Sequence, residues 1–304
     1  MRIVSLLPSA TEIVFALGLG EQLDGVTYEC DFPAEARTKP VVSDTALPQD
    51  RPLSAAEIDR LVGGFMDRRE PIYELDKGLI RDIQPDLILT QDLCRVCAVP
   101  SGHVEDALKE LGCSSTVVSL DPHSLEDILD SIVEVGRATD TEENAARLVG
   151  GLRERIQRVK DRATRLPYIR TLCLEWSDPP FVGGHWIPEM AGIAGGTNLL
   201  NEPRNASRAV TWKEVADAGP EVIAFMPCGY YLDDAAAEAD RLFRQPEFAG
   251  TPAARGNAVF AVDASSYFSR PGPRIVDGLE ILAWAIHPEA FPEPSPDAVA
   301  RVGR

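Results

Sequence analysis

Two stretches far apart in the chain share one form: Pro85-Asp-Leu-Ile-Leu-Thr90 and Pro220-Glu-Val-Ile-Ala-Phe225. Each is a short aliphatic run behind a proline and a carboxylate, and each empties into a cysteine-bearing loop, at Cys94 and at Cys228. Runs this short, apolar throughout and bounded by turn residues, suit strands buried on both faces. Such strands need helices above and below them, so the repeat predicts α/β lobes with parallel sheets.

The first half supports this reading. Arg2 to Leu7 reads as a strand, and Ser9-Ala-Thr-Glu12 as a capping box opening a helix that ends at Gly18-Leu-Gly20. A second strand near Leu23 to Val26 runs into Tyr28-Glu29-Cys30-Asp31. An added segment from Asp44 to Tyr73 contains another capping box, Ser54-Ala-Ala-Glu57. The strand from Pro85, a helix over Val104 to Leu111 and a strand over Ser115 to Leu120 complete a first lobe.

From Ser124 to Leu166, Leu, Ile and Val recur at three- and four-residue steps, with one nick at Ala138-Thr-Asp-Thr141. This predicts a long linking helix acting as a rigid strut. The strand pattern then restarts at Ile169 to Leu174, followed by a loop and a helix over Phe181 to Gly196. Strands at Pro220 to Phe225 and Ala258 to Val262, a helix over Arg274 to His287 and a solvated Pro-rich tail finish a second lobe. The expected division is therefore 1–123, 124–166 and 167–304: two Rossmann-like lobes with parallel sheets, joined by a long interlobe α-helix.

Composition narrows the function. A net charge of −18 argues against nucleic acid and anionic membranes, both of which select basic patches. No apolar run approaches the ~20 residues that span a bilayer. Met1-Arg2 leads straight into IVSLLPSATE, which has no signal-peptide pattern, so a cytoplasmic location is expected. Cys30, Cys94, Cys97, Cys113, Cys173 and Cys228 then fit free thiols better than a disulfide framework. Hydrolase elbows, phosphate loops, zinc-protease motifs and dinucleotide fingerprints are missing, so no catalysis is expected.

Ligands of open parallel sheets sit beyond the carboxyl ends of the strands. Those ends are expected to carry Glu29 and Cys30, Cys94 and Cys97, Trp176, His185 and Trp186, Cys228 and Tyr230, Tyr267 and Arg270. Aromatic faces there suit a flat macrocycle, and the guanidinium of Arg270 can fork onto amide oxygens. Cys94-x-x-Cys97 lacks the second ligand pair of structural zinc. Loop packing, cleft lining and a metal site assembled in space all stay open for it. The glycines before His185 allow close approach to a ligand, or simply the start of a helix.

The stretches RIVSLLPSATEIVFALGLGEQLDGVTYECDFP, PDLILTQDLCRVCAV, FVGGHWIPEMAGIAGG and YFSRPGPRIVDGLEIL resemble the helix-linked substrate-binding proteins of ABC transporters for cobalamin and iron–siderophore complexes. The resemblance covers nearly the whole chain and is nearest to the cobalamin-binding branch. It implies cobalamin or a related corrinoid as bound ligand, held in an interlobe cleft, with an ABC permease as partner and a monomeric state. Three cleft positions of that branch fall on Glu29, Trp212 and Arg270. The segment from Asp44 to Tyr73 and the Cys-x-x-Cys loop depart from the periplasmic type and, with the absent leader, point to a cytoplasmic relative: a carrier, chaperone or sensor. Open alternatives are a heme, siderophore or metal-chelate binding protein, and a metallochaperone or enzyme using Cys94, Cys97, Cys228 and His185.

Overall fold

Short aliphatic runs and amphipathic stretches alternate along the chain, and the computed structural model folds them into two α/β units. It describes residues 1–68, 70–92, 99–111 and 114–303. One unit comprises residues 1–122 and 127–150; the other comprises 123–126 and everything from 151 onward.

The first unit contains β1 (Ile3–Ser5), α1 (Pro8–Ala16), β2 (Leu23–Thr27), β3 (Val41–Thr45), α2 (Ala55–Arg68), β4 (Tyr73–Leu75), α3 (Lys77–Ile83), β5 (Leu87–Thr90), α4 (Ser101–Leu111) and β6 (Thr116–Ser119). Its sheet runs β4-β3-β2-β1-β5-β6. All pairings are parallel except β3 with β4, where Ser43 faces Leu75. Val4, Leu6, Val42, Ile80, Ile88, Val104 and Leu108 form the core on one face.

Two capping expectations divide here. Ser54 and Glu57 do bond reciprocally at the start of α2, the Glu57 carboxylate accepting the Ser54 N–H at 3.0 Å. Ser9 and Glu12 do not form a box. Pro8 opens α1 two residues earlier, with Leu7 as N-cap, because a proline lacks an N–H that the first turn would leave unbonded anyway. Both residues thus lie inside the helix, and Glu12 is only 3% exposed.

The segment expected as one strut is two helices, α5 (Leu125–Ala138) and α6 (Glu142–Ala163). Asp140 adopts a left-handed backbone, φ 54°, which stops α5. The Thr139 hydroxyl donates back to the Val135 carbonyl at 2.7 Å and closes the last turn.

The second unit holds β7 (Ile169–Ser177), β8 (Pro180–Val182), α7 (Ile187–Ile193), β9 (Gly196–Asn198), β10 (Arg208–Ala209), α8 (Trp212–Ala218), β11 (Val222–Phe225), α9 (Leu232–Leu242), α10 (Pro246–Ala249), α11 (Pro252–Arg255), β12 (Val259–Val262), α12 (Ala264–Tyr267), α13 (Ile275–Ile286) and β13 (Val299–Val302). Its sheet is mixed. β7, β11 and β12 are parallel, but β8, β10 and β13 run antiparallel to their neighbours.

Two expectations are corrected by this. Phe181 and Val182 belong to a strand instead of a loop, and the chain does not end in a solvated tail. After the exposed prolines it returns as β13, whose Val299 faces Val262. Helix α13 is buried along Ile275, Val276, Leu279, Leu282 and Ile286. Burying each such side chain contributes about 1.5–3 kcal/mol relative to exposure. Among the described residues no helix is long and apolar enough to cross a membrane.

Candidate functional site

In the second unit the carboxyl ends of β7, β11 and β12 lie side by side. Backbone pairing continues past β11: Met226 N–H donates to the Leu174 carbonyl at 2.8 Å and Cys228 N–H to the Glu175 carbonyl at 3.2 Å. Gly229, at φ 81°, then turns the chain, a conformation that only glycine adopts freely. Ser265 N–H bonds the Tyr230 carbonyl at 3.1 Å, tying this turn to the loop after β12.

Aromatic groups gather on that frame. The rings of Trp176 and Tyr230 meet edge-on, centroids 5.6 Å apart, an arrangement the ring quadrupoles favour. Trp176 Nε1 is buried with no hydrogen-bond partner among the described residues. Burial, then the nearby carboxylates of Glu238 and Asp234, push the Tyr230 phenol above its usual range, so it stays protonated. Arg270 is 9% exposed and points a guanidinium nitrogen at the Tyr231 hydroxyl, 3.5 Å away. Arg274 lies over the ring of Tyr267 at 5.7 Å, and burial raises that phenol too. Cys228 is exposed at the same edge.

Trp212 is the first residue of α8. Thr211 caps it in a box with Glu214 that sequence reading missed: Thr211 N–H donates to Glu214 Oε2 at 2.7 Å. Because α8 feeds β11 from the opposite direction, its start lies toward the strands' carboxyl ends. The Trp212 ring is half-buried on the core, edge-on to Phe248 at 5.7 Å.

His185 and Trp186 depart from expectation. They follow β8, which runs antiparallel to β7, so their loop does not leave the carboxyl end of a parallel strand. It lies beside Glu175, whose carboxylate accepts the Gly184 N–H at 3.2 Å and the Ser207 hydroxyl. Trp186 is 7% exposed and its Nε1 donates to the Phe268 carbonyl, which makes it an interior side chain and corrects its place on the rim. His185 is half-buried next to His123, a neighbour that nothing local in the sequence announces.

In the first unit, Tyr28 and Tyr73 approach at 6.4 Å, and the Tyr28 hydroxyl donates to Glu29 Oε1 at 3.2 Å. Glu29 is half-exposed at the end of β2. Cys30 is 4% exposed, its sulfur 3.0 Å from Thr11 Oγ1, so it too is interior instead of rim-lining. Cys94 and Cys97 lie outside the described residues. Among the described residues no group of three or more His, Cys, Asp or Glu is arranged to hold a metal ion.

Sequence reading placed Glu175 and Tyr231 at the strand ends without assigning them to the ligand. Both adjoin aromatic positions that it did single out, and adjacency was the signal available.

A family model described as periplasmic binding protein matches residues 3–265. The ABC transporter substrate-binding lipoprotein YvrC of Bacillus subtilis is 23% identical over 300 residues, covering 96% of this chain and 82% of that protein. The vitamin B12-binding protein of Vibrio cholerae is 25% identical over 283 residues, covering 92% of this chain and 86% of that protein. Among solved structures, the periplasmic heme-binding protein RhuT from Roseiflexus matches with a TM-score of 0.70 at 24% identity, over 95% of this chain and 98% of that one. That last likeness is one of fold.

Proposed function

Since this chain belongs to the periplasmic binding protein family, we propose that it reversibly binds cobalamin or a related corrinoid. The observation that carries the reading is the second unit's rim, where Trp176 and Tyr230 meet edge-on and the buried Arg270 points a guanidinium nitrogen at the Tyr231 hydroxyl. Aromatic faces cover a flat, largely apolar ring, and a guanidinium bonds the amide oxygens at its edge. Trp212 is the further contact in this reading. The likeness to a vitamin B12-binding protein supports the same ligand, and the likeness to a transporter lipoprotein supports an ABC permease as partner.

The test is to mix the protein with cobalamin, and in parallel with hemin, and pass each through a desalting column. Corrin absorbance eluting with the protein supports the reading. Retention of hemin with loss of cobalamin replaces it with heme binding. Cell fractionation separates a cytoplasmic carrier, the location expected from the sequence, from the binding component of an importer.

A further inference from the structure

Three buried side-chain polar atoms lack a hydrogen-bond partner among the described residues: Ser43 Oγ, Trp176 Nε1 and His287 Nε2. Ser43 lies mid-strand in β3, and His287 follows α13. Trp176 stands instead near the carboxyl end of β7, against the ring of Tyr230. A buried donor without an acceptor costs free energy, and native structures leave few of them without a reason.

The backbone beneath this ring is shaped to aim it. Leu174 faces Val182 and Trp176 faces Phe181, so β7 carries one extra residue, Glu175, against β8. Such a bulge bends the strand and redirects the side chains next to it. Both flanks are fixed. The Glu175 carbonyl accepts the Cys228 N–H at 3.2 Å, and the Ser177 hydroxyl donates to Glu238 Oε1 at 2.7 Å. Glu238 is itself held by Arg241, whose Nη1 donates to Oε2 at 2.9 Å. Burial, then the charge of Glu238, keeps the neighbouring Tyr230 phenol protonated, so the ring that Trp176 meets edge-on ends in a second donor. With the backbone anchored, the torsions of its own side chain are what let the half-buried Trp176 turn.

We propose that Trp176 is a specificity-determining residue: its indole N–H, unpaired within the protein, turns outward on binding and donates to a carbonyl or carboxylate oxygen at the edge of a flat ring ligand. An indole N–H is a donor and never an acceptor. A ligand edge of hydrocarbon or of further donors leaves it unpaired, whereas an edge bearing oxygens satisfies it, and the difference is discrimination between ligands. The inference rests on the reading of this rim as the binding surface. It deepens the part of Trp176 from ring packing to recognition of an oxygen.

The test uses the full chain with its tryptophans isotope-labelled on nitrogen, and Trp176→Phe, which keeps an aromatic face but has no N–H. Circular dichroism checks folding, and the indole resonance missing from the variant identifies Trp176. The probes are cyanocobalamin, whose ring edge carries amide oxygens, and gallium protoporphyrin, whose edge carries carboxylates. The expected result is a downfield move of the Trp176 N–H resonance when cyanocobalamin is added, as for a proton entering a hydrogen bond. Trp176→Phe should bind the same corrinoid about fivefold more weakly. Either an unmoved resonance or equal affinities overturns the proposal. So does a resonance already at the hydrogen-bonded position before any probe is added, which assigns the N–H to a bound water. If the porphyrin binds and cyanocobalamin does not, the corrinoid reading falls, while a downfield move with the porphyrin upholds the donor role of Trp176. Binding of neither probe overturns both.

Discussion

Trp186 Nε1 donates to the Phe268 carbonyl oxygen at 3.0 Å, with the indole almost wholly buried. The loop before α7 is thereby tied to the end of α12, so the side chain next to His185 serves as a brace. Trp186→Phe keeps most of the packing but leaves the Phe268 carbonyl buried without its donor. An unsatisfied buried group costs about 1–3 kcal/mol, and urea unfolding should show a loss of that size.

Trp212→Ala and Arg270→Ala address the ligand directly. Each should weaken corrinoid binding by about 1–3 kcal/mol, through lost stacking in one case and a lost hydrogen bond in the other. Calorimetry on folded variants measures this. Unchanged affinity in both removes these residues from the binding surface.

Gly184→Ala should destabilise the second unit without touching any charged or aromatic group. The new methyl would meet the backbone of Ala206 and Ser207, which cannot swing away as a side-chain tip can. Overpacking of this kind costs about 1–3 kcal/mol or more. A thermal melt as stable as that of the unmodified protein would show that the 206–207 segment yields.

The pH dependence has a definite sign. Burial holds both His185 and His287 below the usual value of 6.5. A histidine with a lowered folded pKa binds fewer protons folded than unfolded, so its contribution is complete above that value and is lost as pH falls below it. Carboxylates held low, such as Glu57 at about 2, act in the same direction only below their unfolded value of 4.5. Melting temperature should therefore decline in two stages on acidification, and His185→Asn should flatten the first.

Cysteine labelling separates interior from rim. Maleimide should modify exposed Cys228 readily in the native protein, while Cys30 and Cys173 react only on unfolding. Desolvation pushes the Cys173 thiol up to about 12, so it lacks thiolate as well as access. Bound corrinoid should protect Cys228, and mass spectrometry with and without ligand reads this directly.

The division into two α/β units and the aromatic character of the second unit's rim were legible in the amino-acid sequence. Buried strands announce themselves as short aliphatic runs, and the residues that follow them must stand at strand ends whatever the rest of the chain does. Trp176, Tyr230, Tyr267 and Arg270 were singled out in that way. The cap at Ser54 was legible for the same reason, since its partners are three residues apart.

Tertiary structure decided the rest. The directions of β8 and β13 depend on which sheet edge is open to receive them. Trp186 and Cys30 look like rim residues in sequence but are covered by Phe268 and Thr11, contributed by other segments. The meeting of His123 with His185 is of the same kind. Local sequence fixes the backbone period and the nature of each loop, but burial and pairing arise from contacts between distant segments, which no local pattern encodes.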